Sequence, residues 1–80
     1  MSDTTTLEVR QIVADVLGLE LEQVGPLATA EEIEQWDSLR HLDVIMTLEQ
    51  RFGLRLGPEQ MAELGSIPAV VAVVEQVRGG

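Results

Sequence analysis

Ser38 and His41 lie three residues apart, and Asp37 directly precedes the serine. Three chemistries are open to such a set. A hydroxyl with an imidazole one helical turn away is the minimum for a nucleophile activated by a base. A hydroxyl exposed at the start of a helix, at the positive end of the dipole, is instead placed to carry a phosphate ester. Serine and aspartate are also both favoured N-caps, so either residue could simply close the helix. The surrounding residues weigh against the first of these. Ser38 stands in Trp36-Asp37-Ser38-Leu39-Arg40, with no Gly-x-Ser-x-Gly elbow. An 80-residue chain also leaves little room for a substrate cleft. No catalytic residue is therefore assigned, and His41 is expected to face solvent or a partner. The acids Glu31, Glu32 and Glu34 lack the glycine pattern of a calcium loop and read as a solvated run, so no metal ligands are assigned.

The elements that must position Ser38 are helical. Val9, Ile12, Val13, Val16 and Leu17 recur at helical spacing and predict a first helix over 4–17, stopped by Gly18. Thr5 with Glu8 fits a capping box at its start. Residues 18–36 form a long connection, pinned by Leu19, Leu21, Val24, Leu27 and Ile33, with room for a short helical turn. A second helix starts at Asp37 or Ser38 and runs to about Phe52, with Gly53 ending it. Gly57-Pro58 opens a short third helix to about Leu64. Ser66 caps a fourth, with Pro68 in its first turn and Ile67, Val70, Val71, Val74 and Val77 on one side. The β-branched run Val70–Val74 has strand propensity, but its period and its Ser-x-Pro start predict helix. Gly79-Gly80 is expected to fray.

On the second helix the apolar side chains spread over roughly 220°, against the ~100° a core-facing stripe needs. Leu39 and Met46 lie at one rim beside Asp43 and Gln50. Either a partner with a groove and a basic residue meets this rim, or the long loop covers it.

The composition bounds the function. The chain carries 14 acidic residues, five arginines and no lysine, a net charge of −9. That disfavours nucleic acid and anionic membrane surfaces and favours basic patches on partner proteins. There is no cysteine for a disulfide or a thiolate metal site. A domain this small buries roughly 60% of its unfolded surface, so an aliphatic helical bundle is the available route to stability. No apolar run spans a bilayer and no signal peptide is evident at the N-terminus, so a cytoplasmic monomer is expected.

Trp36-Asp37-Ser38-Leu39 followed by Leu48-Glu49-x-x-Phe52-Gly53, in this helix order and length, resembles the acyl carrier protein family across nearly the whole chain. The resemblance implies an all-α four-helix bundle with a long first loop and a short third helix, as one carrier domain over 1–80 with its core at about 5–78. It implies that a phosphopantetheinyl transferase attaches 4′-phosphopantetheine to Ser38, with Asp37 helping to orient the serine. The arm would hold acyl groups as thioesters for loading enzymes, ketosynthases or acyltransferase-type enzymes. By the same resemblance Leu39, Arg40, Asp43, Met46 and Glu49 would meet partners, and Ile45, Leu48 and Met61 would line a pocket for the acyl chain. Carriers of primary fatty acid synthesis have a strongly acidic second helix, which Arg40 and Arg51 interrupt here. With Trp36 and the Phe52-Gly53 ending, the likeness leans toward free-standing carriers of polyketide, antibiotic or other secondary-metabolite synthesis. Aminoacyl or peptidyl carriers, including the D-alanyl type, and an unmodified docking module are the alternatives.

Overall fold

The computed structural model describes residues 3–79; Met1, Ser2 and Gly80 lie outside the described residues. Four helices follow one another: α1 Asp3–Leu17, α2 Ser38–Phe52, α3 Pro58–Glu63 and α4 Ile67–Gly79. A single 3-10 turn, Leu21–Gln23, interrupts the long connection between α1 and α2. The run Val70–Val74 is helical, as its period requires, and Gly79, expected to fray, is the last residue of α4. No helix among the described residues is long and apolar enough to cross a membrane.

The core is aliphatic. α1 contributes Val9, Ile12, Val13, Ala14 and Leu17; α2 contributes Val44, Ile45 and Leu48; α4 contributes Ile67, Val70, Val71 and Val74. Val16 is only half-buried at the edge of that cluster, and Val77, one turn beyond Val74, is exposed. α1 begins at Asp3, so Thr5 sits buried inside its first turn rather than at the cap the Thr5–Glu8 pair implies. Gly18 ends α1 in the left-handed region at φ 70°. Its N–H donates to the Asp15 carbonyl (3.3 Å), and the Leu19 N–H donates to that of Ala14 (2.9 Å), which together form a Schellman motif.

The long connection is held by polar as well as apolar contacts. Val24 and Ile33 are buried, and Leu19 packs on the core. Leu27, expected to pin the loop, is instead 77% exposed. It follows Pro26 at the apex of a turn closed by the Ala28 N–H on the Gly25 carbonyl (3.1 Å), and it lines an open cleft with Thr6, Pro68, Val71 and Ala72 instead of entering the core. Arg10 of α1 takes over part of the task. Its Nε–H donates to the Val24 carbonyl at 2.6 Å and its Nη2 to that of Leu21 at 3.2 Å. Further along, the Ala30 N–H donates to Gly65 (2.8 Å) and the Ile67 N–H to Ala28 (2.9 Å), which ties the loop to the entry of α4. Ser66 caps α4, its Oγ accepting from the Ala69 N–H at 3.2 Å.

α3 differs from the other helices in burying no side chain of its own. It is held from its flanks, by buried Leu54 and Leu56 before it and buried Leu64 after it.

Candidate functional site

The two N-cap candidates at the head of α2 separate cleanly. Asp37 is the cap: its backbone is extended, and its carboxylate accepts from the Arg40 N–H at 2.9 Å. Ser38 is the first helical residue, exposed, and its hydroxyl makes no hydrogen bond among the described residues. Capping by Asp37 thus leaves the serine oxygen uncommitted at the positive end of the dipole. Beside it lies an open cleft of about 270 Å³ lined by Ala30, Trp36, Asp37, Ser38, His41 and Gly65.

His41 is not the solvent-facing residue its position in the sequence implies. It is half-buried, and both ring nitrogens are engaged. The indole Nε1–H of buried Trp36 donates to Nδ1 at 3.0 Å, and Nε2 lies 3.0 Å from the Met61 carbonyl oxygen. Neither nitrogen is free to take a proton from Ser38, although both residues line the same cleft. The geometry therefore removes the nucleophile–base option.

The rim of α2 stays open to solvent. Leu39 is 74% exposed, Met46 55% and Leu42 53%, with Arg40 and Asp43 exposed alongside, so the long loop does not cover them. Glu49 stands apart from these. It is half-buried, and its carboxylate accepts from the Leu56 N–H at 3.0 Å, securing the α2–α3 loop. Ile45 and Leu48 are closed inside the core, and Met61 is half-buried at its edge. Sequence reasoning missed the structural roles of Trp36 and Arg10. The tryptophan carried a usable signal: with Asp37 at the N-cap, Trp36 and His41 occupy the positions before the cap and in the second turn that form a hydrophobic staple.

The family described as phosphopantetheine attachment site matches residues 8–74. Over 80 residues the chain is 38% identical to an acyl carrier protein of Akkermansia muciniphila, covering 99% of this chain and 100% of that protein. An acyl carrier protein of Thermosynechococcus vestitus is 36% identical over 72 residues, 89% of each chain. One of Solidesulfovibrio magneticus is 26% identical over 72 residues, 90% of this chain and 92% of that one. Together with an all-helical bundle that leaves one serine hydroxyl free at the head of α2, these likenesses place the chain in the acyl carrier protein family, as a carrier rather than an enzyme, bearing covalent 4′-phosphopantetheine.

Proposed function

We propose that Ser38 is the attachment residue and that the chain is a discrete carrier serving polyketide or other secondary-metabolite synthesis. The observation that carries the first part is the division of labour at the head of α2. Asp37 caps the helix, and Ser38 is exposed with its oxygen uncommitted. A phosphodiester on that oxygen would add negative charge where the helix dipole favours it, and the adjoining cleft leaves room for the substituent. The arm itself supplies the thiol that holds an acyl group as a thioester and raises its effective concentration at each partner. The chain's own residues hold the serine in place and present a face to the transferase and to acyl-handling enzymes.

For that face the supporting residues are Leu39, Leu42 and Met46, with Arg40 and Asp43 flanking them. Glu49 contributes through the α2–α3 loop that its carboxylate holds. Shelter of a cargo chain by Ile45, Leu48 and Met61 would require α3 to move, since the first two are closed in the core. The short α3, without a buried side chain of its own, is the element best suited to such movement. The lean toward secondary metabolism rests on exposed Arg40 and Arg51, which interrupt the acidity of α2.

Intact-protein mass spectrometry after incubation with coenzyme A and a promiscuous phosphopantetheinyl transferase tests the assignment. One phosphopantetheine of added mass, absent in Ser38→Ala, is the expected result. Modification of the Ser38→Ala variant would overturn it, as would no modification of the unaltered chain beside an active control carrier.

A further inference from the structure

The ring of His41 has its proton assigned by its neighbours. An indole N–H can only donate and a carbonyl oxygen can only accept. Nδ1, 3.0 Å from the Trp36 Nε1, must therefore be bare, and Nε2, 3.0 Å from the Met61 oxygen, must carry the hydrogen. His41 is thus neutral, in one tautomer, and joins three segments: the end of the long loop, α2 and α3. Met61 O, which also accepts from the Leu64 N–H at 3.3 Å, lies at the end of α3, a helix with no fully buried side chain of its own. Trp36 and His41 flank the Asp37 cap as a staple, the device that fixes the angle at which a chain enters its helix. The residues whose approach is fixed in this way are Asp37 and Ser38.

We infer that His41 is a positioning residue for modification of Ser38: its Nε2–H ring ties Trp36, and with it the approach to the serine, to the backbone of α3. The inference rests on Ser38 as the attachment residue. The charged and polar groups around the ring are few. Asp37 is the carboxylate lining the cleft, already turned to the Arg40 N–H. Arg40 adjoins His41 on α2, α3 presents the Met61 carbonyl, and the segment before α4 presents Gly65.

The chain holds one tryptophan and one histidine, so both can be followed without ambiguity. In ¹⁵N NMR of the unmodified protein, His41 should show a bare Nδ1 and a protonated Nε2. The Trp36 indole resonance should shift when His41 is replaced by glutamine. Loading kinetics with the promiscuous transferase supply the functional arm. His41→Gln can present its amide N–H to Met61 but places no acceptor at the Nδ1 position, whereas His41→Asn places its amide oxygen near that position. The glutamine variant should lose roughly tenfold in kcat/KM, the scale on which misplaced reacting groups lose rate, and the asparagine variant should recover part of that loss. A proton on Nδ1, an indole resonance that ignores the replacement of His41, or loading of His41→Gln equal to the unaltered chain would each overturn the inference. Should a variant fail to fold, the unaltered chain still decides. Its ring tautomer is read without any substitution, and a ring protonated at Nδ1 refutes the role. A chain that takes no mass at all refutes the Ser38 assignment instead, which the resonances distinguish because they need no loading.

Discussion

An N-cap aspartate accepts a first-turn N–H and adds negative charge at the positive end of the dipole. Asp37 does both for α2 through the Arg40 N–H. Asparagine caps about as well, whereas alanine cannot, and losing a cap costs about 1 kcal/mol. Asp37→Ala should therefore lower stability by about 1 kcal/mol in urea melts, and Asp37→Asn should stay within about 0.5 kcal/mol of the parent. If the transferase reads the charge of Asp37, both variants load slowly; slow loading of the alanine variant alone would mean that the cap is what matters. Ser38→Ala removes an exposed hydroxyl without hydrogen bonds, so stability should change by less than about 0.5 kcal/mol while loading is abolished. At this scale the sequence was informative about residue types but not about their assignment. Ser38 and Asp37 are both good caps, and only the backbone of Asp37 showed which one serves. His41 misled for a related reason: its partners are an indole five residues back and a carbonyl twenty residues on, and nothing in local periodicity encodes the second.

A helix that must stop abruptly so that the chain can turn back needs a left-handed residue at its end, and glycine is the residue that adopts it without strain. α2 ends in this way at Gly53, φ 64°, with the Leu54 N–H returning to the Glu49 carbonyl at 3.1 Å. Gly25, in the long loop, has no positive φ, and a methyl group there would meet nothing within 4 Å. The two glycines should thus respond oppositely to alanine. Gly53→Ala should cost about 1 kcal/mol from left-handed strain, and Gly25→Ala should be neutral or stabilising by up to about 1 kcal/mol, as thermal or urea unfolding would show. Equal effects at the two positions would count against the backbone account. The helices were legible in the sequence because their signals are local: Gly18 and Gly53 as stops, Ser66 as a cap, and the 3.6-residue period of each apolar stripe. The loop was less legible. Exposed Leu27 and half-buried Arg10 reverse the usual roles of their types, because a turn at Pro26 carries the leucine outward and two loop carbonyls near buried Val24 need a donor.

Across the whole molecule, charge and apolar exposure are separated in space. The net charge is −9, yet within 37–56 the acids Asp37, Asp43 and Glu49 are balanced by Arg40, Arg51 and Arg55. The excess negative charge lies in α1, the long loop and the C-terminal third, while α2 exposes Leu39, Leu42 and Met46. Long-range charge governs how fast partners meet and how strongly salt slows them, whereas a desolvated apolar anchor governs how long they stay together. If α2 is the contact face, two classes of variant should behave differently against one transferase. Neutralising exposed Glu31 and Glu34 to glutamine should lower the association rate at low salt and flatten its dependence on ionic strength. Truncating Leu39 or Met46 to alanine should leave the salt slope unchanged and speed dissociation, with stability moved by less than about 0.5 kcal/mol because both side chains are exposed. Stopped-flow binding across a salt series separates the two. A salt slope that drops on truncating Leu39 but not on removing the loop charges would reverse the assignment and place the electrostatic contact on α2 itself, where Asp43 would have to carry it against two flanking arginines.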